Sequence, residues 1–545
     1  MVRKKCVGVA MGVVSRLKDS LVGRKRGLEV TFYDEIKERF SWSGGLLHVS
    51  DFLRRAFQMY SNNVALIGTD RTLTYKELYF RSLQVAHLLK QNGITSRDHV
   101  LLYCENSVEF YIFYYAIWLR GAVAVPINIF LHEKELAYII KDSESRAILT
   151  LSSRVEKLEA LSGNDLLEKL PLVLTEKDID WSESAPCSMR SADDPFADQA
   201  LGIDALALLL YTSGTTGVPK GVMLSSRNIL TNSMQDYARL RMFSDERERF
   251  LAVLPLFHVF AQNTCMWLPL LTGSVVIVVP RIERRYILDG LRKKPTLFFG
   301  FPALYGLLCL MKTAPLESIK RFVSGADAMP DKIRVAFAMI YGRKICSGYG
   351  LTEAAPVIAI NHDNESLLTN VVGRPVVGID CEIRDDSGKC LASGEIGDLW
   401  VRGDNVMLGY YKAPEETAKV LKDGWLNTGD LASFDENGNL AIQGRSKDLI
   451  IHKGFNIYPQ EVENVLMSHP AVFKAAVIGR NEAVVGQVPI AFIATRDDKD
   501  RIEQSLRALC SDNLASYKIP RKFICLDDLP MSPTGKIDKK QLQMR

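Results

Sequence analysis

One stretch of the chain, residues 211–221, combines the residue types that bind phosphate. Its sequence is YTSGTTGVPKG, in which glycines let the backbone approach an anion, hydroxyl groups donate hydrogen bonds and a lysine adds positive charge. The residues expected to contact a polyphosphate are Thr212, Ser213, Gly214, Thr215, Thr216, Gly217 and Lys220. The stretch predicts a phosphate-binding loop, and a solvent-exposed turn rich in glycine and threonine is the alternative interpretation.

This loop differs from the Walker A loop of kinases and P-loop NTPases. Counted from Gly214, the Walker A pattern requires glycine where this chain has Pro219, and serine or threonine where it has Gly221. The two differences exclude those enzyme classes.

Two further motifs carry groups that suit a nucleotide. The first, GYGLTE at residues 348–353, supplies an aromatic ring that can stack on a purine, a hydroxyl for a phosphate and a carboxylate for Mg²⁺. A turn around a buried tyrosine would have the same composition. The second, DGWLNTGD at residues 423–430, ends in Asp430, which can accept hydrogen bonds from ribose hydroxyls.

Two motifs near the C-terminus contain basic residues. GRSKDLIIHKGFNIYPQEVE, residues 444–463, surrounds short apolar runs with basic side chains and predicts a helix that begins at its proline. SPTGKIDKKQL, residues 532–542, has Lys536 after a Pro/Gly turn. Taken alone, a lysine in such a position is typical of a solvated surface charge.

Hydrophobic runs upstream predict the elements that position these motifs. Strand-like and helix-like segments alternate up to about residue 279, which favours parallel sheets covered by helices. A polar stretch at residues 182–199 is a predicted linker. The predicted strands are residues 100–103, 122–127, 147–151 and the run 205–210 before the phosphate loop, and the predicted helices are residues 107–119 and 132–141.

The overall composition is that of a folded protein with more than one domain. The chain has 545 residues, 47% hydrophobic and 24% charged, and is too long for a single core. A formal net charge of +4 argues against a nucleic-acid partner. Ten cysteines without a CxxC pair indicate neither a zinc site nor a disulfide framework, and they favour a reducing compartment such as the cytoplasm.

Residues 1–45 are predicted to be a basic N-terminal extension. Its first 28 residues contain eight lysines and arginines and a single acid, Asp19, with apolar residues at helical spacing. The alternatives are a basic amphipathic helix on an anionic membrane, a disordered tail and a weak signal peptide. Two other apolar segments, residues 110–119 and 266–279, are too short or too interrupted to span a membrane and predict buried core elements.

The order of these motifs resembles the adenylate-forming superfamily of acyl-CoA synthetases, peptide-synthetase adenylation domains and luciferases. The phosphate loop, GYGLTE, TGD, GRSKD and PTGK follow one another in the family's order. LTYKEL at residues 73–78 and GAVAVPIN at residues 121–128 look like its early motifs. The resemblance runs from about residue 50 to the C-terminus, and it is greatest to long-chain fatty acyl-CoA ligases.

The resemblance implies an α/β fold with two domains. Residues 46–445 would form a large AMP-binding domain of two helix-covered, mostly parallel sheets plus a small β-barrel-like subdomain. Residues 446–545 would form a small, mobile α+β domain. Lys447 would be the hinge, and rotation about it would bring in the loop that lines a pantetheine tunnel, namely Lys453, Gly454 and Phe455.

The implied reaction joins an acid to a thiol in two steps. A carboxylate attacks the α-phosphate of ATP and pyrophosphate leaves; a thiol then takes the acyl group and AMP leaves. The implied catalytic residues are Lys536, Thr352, Glu353 and His258, and the implied Mg²⁺ ligands are Glu353 and Thr215. Besides the phosphate loop, the implied ATP- and AMP-binding residues are Gly325, Ala326, Asp327, Gly348, Tyr349, Gly350, Asp430 and Arg445.

The implied acyl pocket favours a fatty acid. Residues 254–263 lack the aspartate with which amino-acid-activating relatives pair the substrate ammonium. Gly350 stands where acetate-activating relatives have tryptophan, so it is expected to leave room for a longer chain. His258 resembles the family's gating residue, and a buried core histidine is the alternative. The expected lining residues are Phe257, Val259, Phe260, Phe299, Gly300 and Gly350.

The expected substrate is a medium- or long-chain fatty acid, with CoA as the acceptor and the phosphopantetheine of an acyl carrier protein as the runner-up. The basic N-terminus would suit peripheral contact with a membrane by a cytoplasmic protein. Luciferase-like oxygenation stays open because it uses the same motifs. A non-catalytic protein that binds ATP or acyl-adenylate is the alternative from another class, although Lys220, Glu353, Asp430 and Lys536 are all present.

Overall fold

The computed structural model describes most of the chain in eleven stretches. The described residues are 26–42, 45–163, 166–181, 201–212, 219–241, 247–361, 370–453, 455–482, 486–497, 499–531 and 537–545. The predicted linker at residues 182–199 lies outside them.

The strands are named in chain order. They are β1 (Ser41–Trp42), β2 (Gly45–Leu46), β3 (Val64–Ile67), β4 (Thr72–Thr74), β5 (His99–Tyr103), β6 (Val123–Pro126), β7 (Ala147–Thr150), β8 (Leu172–Thr175), β9 (Leu206–Thr212), β10 (Lys220–Ser225), β11 (Arg249–Ala252), β12 (Val275–Val278), β13 (Leu297–Gly300), β14 (Arg321–Ser324), β15 (Cys346–Gly350), β16 (Val357–Ile360), β17 (Val371–Pro375), β18 (Asp380–Arg384), β19 (Gly397–Arg402), β20 (Gly409–Tyr410), β21 (Leu421–Lys422), β22 (Trp425–Phe434), β23 (Leu440–Arg445), β24 (Ile450–His452), β25 (Phe455–Ile457), β26 (Val472–Glu482), β27 (Gly486–Thr495) and β28 (Lys522–Leu526).

The helices are named in the same way. They are α1 (residues 26–39), α2 (Val49–Met59), α3 (Tyr75–Gln91), α4 (Val108–Leu119), α5 (Glu133–Asp142), α6 (Val155–Gly163), α7 (Ser226–Arg241), α8 (Val259–Gln262), α9 (Leu268–Thr272), α10 (Arg284–Arg292), α11 (Pro302–Met311), α12 (Asp331–Tyr341), α13 (Pro414–Val420), α14 (Pro459–Ser468), α15 (Lys499–Asn513) and α16 (Lys539–Gln543). A π-helical turn, Asn263–Trp267, joins α8 to α9.

The first sheet has seven strands in the order β20-β10-β9-β6-β5-β7-β8. Its strands from β9 to β8 are parallel, whereas β10 and β20 extend the sheet in antiparallel pairing. The strands predicted at residues 100–103, 122–127 and 147–151 are confirmed as β5, β6 and β7. The run before the phosphate loop is confirmed as β9.

The two predicted helices are confirmed as α4 and α5. The side chain of Ser107 accepts a hydrogen bond from the backbone N of Phe110 at 3.1 Å, which makes Ser107 the N-cap, so that α4 begins one residue later than predicted. Every residue of α4 except Glu109 is buried, as expected for a core element. Among the described residues, no helix is long and apolar enough to cross a membrane.

The second sheet combines a parallel and an antiparallel part. Its parallel strands follow the order β15-β14-β13-β11-β12-β3, and β16 and β17 join them to the antiparallel strands β23, β22, β19 and β18. Helices α10, α11 and α12 cover one face of the parallel part, where Leu291, Leu308 and Phe337 share one buried cluster. The antiparallel strands form a smaller β-rich region of the large domain.

The C-terminal part has its own five-stranded sheet, in the order β25-β24-β27-β26 with β28 beside β27. Helices α14 and α15 cover one face through Leu466 and Leu506, and Leu542 of α16 packs on the other. The predicted proline-initiated helix is confirmed as α14, which begins at Pro459. Nζ of Lys332 donates to the carbonyl of Pro470 at 2.8 Å, so the two parts of the chain are in contact.

Helix α1 packs against the large domain, although the sequence analysis grouped it with the basic extension. Ile36 and Phe40 at its C-terminal end are fully buried, and Phe40 contacts the ring of Phe52 at 4.9 Å between centroids. Glu29 forms an ion pair with Arg239 of α7 and accepts a hydrogen bond from the backbone N of Val377. The folded large domain therefore begins well before residue 46.

Candidate active site

The carboxyl ends of two neighbouring parallel strands form the centre of the candidate site. β14 ends at Ser324, β15 ends at Gly350, and Ser324 pairs with Ser347 across the two strands. Ligands of open α/β sheets bind beyond the carboxyl ends of the strands. The segment after β14 and the end of β15, both predicted to contact a nucleotide, therefore share this edge.

The predicted adenine-side segment forms a tight turn after β14. The backbone N of Gly325 donates to the carbonyl of Gly300 at 3.0 Å, and Ala326 has a left-handed backbone with φ 69°. Asp327 is exposed at the edge of the site. A Cβ on Gly325 would lie 3.2 Å from Cζ of Phe260, so this glycine lets an aromatic ring pack against the turn.

Tyr349, Asp430 and Arg445 form a connected group. The hydroxyl of Tyr349 donates to Oδ2 of Asp430 at 2.5 Å, and Nε of Arg445 lies 2.9 Å from Oδ1 of the same carboxylate. Burial, reinforced by the Asp430 carboxylate, raises the pKa of Tyr349 well above its ordinary value. Tyr349, the predicted adenine contact, therefore lies next to Asp430 and Arg445, the predicted ribose contacts. The hydrogen bond to Asp430 fixes the orientation of the Tyr349 ring.

The register of β22 and β23 explains part of this geometry. Asp430 and Arg445 are directly opposite each other in this antiparallel pair. Asp430 is only 5% exposed, whereas the side chain of Arg445 is 47% exposed. The pair therefore presents a positively charged side chain to solvent above a buried carboxylate.

Thr352 and Glu353 lie in a short 3-10 turn, Thr352–Ala354, directly after β15. Oε1 of Glu353 accepts a hydrogen bond from the hydroxyl of Tyr410 at 2.9 Å. Its carbonyl accepts from the backbone N of Met407 at 2.9 Å. The carboxylate predicted to hold Mg²⁺ is thus positioned by a segment that the sequence analysis did not single out.

The phosphate loop connects two adjacent antiparallel strands. Ser213, Gly214, Thr215, Thr216 and Gly217 lie outside the described residues. Thr212 ends β9, Lys220 begins β10, and these two residues are direct partners in the sheet. The two ends of the loop are therefore paired with each other in the first sheet.

Lys220 is held by an acid and a ring. Its Nζ lies 2.5 Å from Oε2 of Glu416 and 5.2 Å from the centre of the Tyr410 ring. Sequence reasoning missed both partners. The sequence around these partners has two tyrosines after a glycine, then a helix that begins at a proline and has acidic residues in its first turn. An ordinary surface helix has the same pattern, so this stretch carried no signal of a functional role.

The predicted acyl-pocket residues form an aromatic cluster next to the turn after β14. The ring of Phe260 meets Phe299 edge to face with centroids 6.3 Å apart, and Phe299 stacks on Phe250 at 6.1 Å. His258 precedes α8 as its N-cap, with its ring 4.6 Å from that of Phe257. The other predicted lining residue of α8, Val259, is 7% exposed.

Two glycines of the predicted pocket lie close to neighbouring atoms. A Cβ on Gly350 would lie 2.0 Å from the carbonyl oxygen of Pro356, and a Cβ on Gly300 would lie 3.0 Å from the ring of Tyr305. The absent side chain of Gly350 would therefore point at backbone, and the room that this glycine leaves for a longer alkyl chain stays a prediction. Glycine is needed there because the turn that carries Glu353 returns close to β15.

The predicted hinge lies where the large domain ends its last strand. Lys447 occupies a 3-10 turn, Ser446–Asp448, directly after β23. Burial lowers the pKa of Lys447 below its ordinary value. The hydroxyl of Ser446 donates to Oδ1 of Asp398 at 2.5 Å, which fixes the residue before the hinge to the β-rich region.

The predicted pantetheine residues are partly described. Gly454 lies outside the described residues, Lys453 has a left-handed backbone with φ 50°, and Phe455 is 56% exposed. The Phe455 ring stacks on that of Tyr517, with centroids 4.9 Å apart. The loop therefore combines an exposed aromatic ring with a left-handed backbone turn.

Lys536, the predicted catalytic lysine, lies outside the described residues. Its flanking residues Met531 and Ile537 pair as an antiparallel bridge. Downstream, Nζ of Lys539 lies 2.8 Å from Oε1 of Glu463. Burial opposes the charge of Lys539, but the carboxylates of Glu463, Asp448 and Asp327 raise its pKa. The segment after Lys536 is therefore tied to α14 through Glu463.

The donor set fits a magnesium ion that is held mainly by phosphates. No group of three or more His, Cys, Asp or Glu side chains within the described ranges could hold a metal by itself. Glu353 offers one carboxylate at the nucleotide edge. Mg²⁺ in nucleotide sites is bound by one or two carboxylates together with phosphate oxygens and waters.

Comparison with known proteins agrees with this geometry. The family model of the AMP-binding enzymes matches residues 53–411, and that of the AMP-binding enzyme C-terminal domain matches residues 461–536. The chain is 32% identical to a long-chain-fatty-acid–CoA ligase of Bacillus subtilis, over 89% of this chain and 92% of that protein. It is 30% identical to 4-coumarate–CoA ligase 1 of Arabidopsis thaliana, over 92% of each chain.

A solved structure extends the likeness to the fold. The o-succinylbenzoate coenzyme A synthetase of Bacillus subtilis, in complex with ATP and magnesium ion, matches with a TM-score of 0.77 and 28% identity, over 90% of this chain and 99% of that one. Both family models, the relatives and the nucleotide-edge geometry lead to one conclusion. The chain belongs to the AMP-binding enzymes of the adenylate-forming superfamily and is an AMP-forming acid–thiol ligase.

Proposed function

We propose that this chain is a medium- to long-chain fatty acyl-CoA synthetase. One arrangement carries the proposal: Lys220, Glu353 and Asp430 converge at one edge of the sheets, where Tyr410 links the first two and Tyr349 holds the third. These are the charges that ATP requires, namely a cation for its phosphates, a carboxylate for its metal and an acid for its ribose.

In the first half-reaction, Asp430 and Arg445 bind the ribose and the ring of Tyr349 packs against adenine. Lys220 and the hydroxyls of the phosphate loop bind the β- and γ-phosphates. The acid's carboxylate oxygen attacks the α-phosphorus, the bond to the β-phosphate breaks, and pyrophosphate leaves with that electron pair. Thr352 contacts the α-phosphate, and Lys536 neutralises the charge between carboxylate and phosphate.

Glu353 and Thr215 would hold the magnesium ion beside the phosphates. When bound, the ion supplies positive charge to the departing pyrophosphate. The hydrogen bond from Tyr410 fixes the orientation of the Glu353 carboxylate.

In the second half-reaction, rotation about Lys447 withdraws Lys536 and brings the loop of Lys453, Gly454 and Phe455 to the acyl-adenylate. The thiol sulfur attacks the acyl carbon and gives up its proton, the carbon–oxygen bond to AMP breaks, and AMP leaves. CoA is the favoured acceptor, and the phosphopantetheine of an acyl carrier protein is the alternative.

The choice of a fatty acid rests on the aromatic cluster. Phe260 and Phe299 form an apolar wall beside the turn after β14, and no acidic residue lies between Leu254 and Asn263 that could pair with a substrate cation. We further propose a cytoplasmic protein whose basic residues 1–26 contact an anionic membrane from which the acid is drawn.

Acid-dependent exchange of labelled pyrophosphate into ATP tests the first half-reaction. We expect exchange with straight-chain acids from about eight carbons upward and little with acetate. Exchange only with hydroxycinnamates would replace the fatty acid by an aromatic acid. No exchange with any acid would remove the ligase proposal. Thioester formation with CoA or a carrier protein then identifies the acceptor.

A further inference from the structure

Glu416 forms an ion pair with Lys220, the side chain that the proposed function assigns to the phosphates of ATP. Its Oε2 lies 2.5 Å from Nζ of Lys220, and the two side chains are 30% and 17% exposed. Its other oxygen, Oε1, is paired with Lys419. Hydrogen bonds from Lys220 and Lys419 lower the pKa of Glu416 to about 2, so the carboxylate is an anion at every physiological pH.

A carboxylate and a phosphate compete for one ammonium group. Lys220 begins β10 directly after the phosphate loop, so its reach is limited by the sheet. The Lys220 ammonium has three N–H donors, but a polyphosphate bound to the remaining donors would lie beside the Glu416 carboxylate, and two anions so close together repel each other. Binding of the β- and γ-phosphates therefore favours a longer or broken ion pair.

The helix that carries Glu416 is also tied to Glu353. Residues 407–419, here called the bridging segment, pair with β10 through Val222 and Tyr410. The backbone N of Tyr410 donates to Oγ1 of Thr417 at 2.8 Å, one residue after Glu416. The hydroxyl of Tyr410 donates to Glu353, while its ring lies under Lys220. One short segment thus contacts both the phosphate-binding lysine and the proposed metal ligand.

We infer that Glu416 is a stand-in anion that holds Lys220 until the β- and γ-phosphates displace it. Tyr410 is a positioning residue of the same segment: it keeps Glu353 and Lys220 aligned while Glu416 is exchanged for phosphate. This inference rests on the proposed function, because it takes Lys220 as the ligand of the β- and γ-phosphates.

Calorimetric titration with Mg·ATP and with AMP tests the inference without any acid substrate. The full chain is used, as wild type and as Glu416→Gln. Since the stand-in carboxylate is lost, Glu416→Gln should bind Mg·ATP more tightly, by about two- to fivefold for a partly exposed pair. Its affinity for AMP, which lacks the β- and γ-phosphates, should equal that of the wild type.

Lys419→Gln provides the matched control. It removes the other cation from Glu416, which should strengthen the hold of Glu416 on Lys220, so its affinity for Mg·ATP should be slightly lower than that of the wild type. Opposite signs for the two variants support competition. A merely structural role for Glu416 would weaken both ligands alike in Glu416→Gln.

The outcomes separate the two proposals. Equal or weaker binding of Mg·ATP by Glu416→Gln, in a protein whose melting temperature matches that of the wild type, overturns the stand-in role. If the wild type itself does not bind Mg·ATP, the proposed function fails first. Tyr410→Phe gives an independent check: we expect a higher magnesium concentration for half-maximal ATP binding, and an unchanged magnesium dependence removes the positioning role of Tyr410.

Discussion

Glu29 and Arg239 form an ion pair in the interior of the large domain. Oε1 of Glu29 lies 3.1 Å from Nε of Arg239, and each side chain is only 7% exposed. Arg239 also donates to the carbonyls of Ile360, Arg374 and Pro375, at distances of 2.7 to 3.2 Å. A residue that precedes the matched family region therefore neutralises a guanidinium that joins α7 to β16 and β17.

We expect Glu29→Gln to destabilise the protein by about 3 kcal/mol, because removal of one partner leaves the other charge buried without compensation. Urea unfolding followed by circular dichroism measures the change. Glu35→Gln, on the exposed side of the same helix, is the matched control and should be nearly neutral. A chain that starts at residue 46 should be at least as unstable as Glu29→Gln; equal stability of that chain and the full protein would contradict the role of α1.

The hydrogen bond between Tyr349 and Asp430 predicts a graded effect on nucleotide binding. Tyr349→Phe keeps a ring that can pack on adenine but frees one oxygen of the buried carboxylate, so we expect affinity for AMP to fall by about tenfold. Tyr349→Ala removes the ring as well and should weaken binding further. Calorimetry with AMP measures both. The same loss in the two variants would mean that the hydroxyl carries the whole effect and that the ring does not contact adenine.

Stability should fall as pH rises because of Asp236. Both carboxylate oxygens of this fully buried residue of α7 lack a hydrogen-bond partner among the described residues. Burial raises the pKa of Asp236 to about 7, although Arg239 opposes the shift. The folded state thus keeps a proton that the unfolded chain releases above about pH 4. The stabilisation is complete below that pH and is lost as pH rises to about 7.

The expected loss is of the order of 4 kcal/mol over a shift of about three pH units. Urea unfolding of wild type and Asp236→Asn between pH 4 and 8.5 measures it. The asparagine variant cannot ionise, so its unfolding free energy should lack this slope and should exceed that of the wild type at pH 8.5. Identical slopes in the two proteins would show that Asp236 does not titrate in this range.

The two half-reactions should respond separately to Lys536 and Lys447. Lys536→Ala should slow adenylate formation by about 100- to 1000-fold, the usual loss for a group that stabilises transition-state charge, and should spare thioester formation from synthetic acyl-adenylate. Lys447→Pro should stiffen the turn at residues 446–448 and do the reverse. Single-turnover assays measure each step. Equal loss of both steps in Lys536→Ala, or full turnover in Lys447→Pro, would argue against domain rotation.

The elements with a clear hydrophobic pattern were predictable from sequence. Strands β5, β6 and β7 and helices α4 and α5 follow the predicted bounds within about a residue or two, because short apolar runs and capping residues act locally. The nucleotide-binding roles of Tyr349, Asp430 and Arg445 come from the family resemblance and stay predictions, although the structure brings the three side chains into contact.

Contacts between distant segments were not predictable in the same way. The partner of Lys220 lies 196 positions away, and nothing in the sequence around Glu416 distinguishes it from a solvated acid. A Cβ on Gly350 would point at the carbonyl of Pro356 because the turn after β15 folds back on the strand. The amino-acid composition of the motif does not reveal that path of the backbone. Helix α7 is polar in sequence but buried on nearly every residue, because Asn228, Asn232 and Arg239 bond to carbonyls of neighbouring segments.

The pairing of β3 with β12 has a consequence for biosynthesis. Leu66 of β3 pairs with Val276 of β12, and the hydroxyl of Tyr75 donates to the carbonyl of Ser274 at 2.7 Å. Six strands of the first sheet lie between residues 99 and 225 and can pair as soon as they leave the ribosome. The apolar edge of β3 must wait for β12, so the nascent chain exposes this edge while about 210 further residues are made, and it is open to misassembly during that interval.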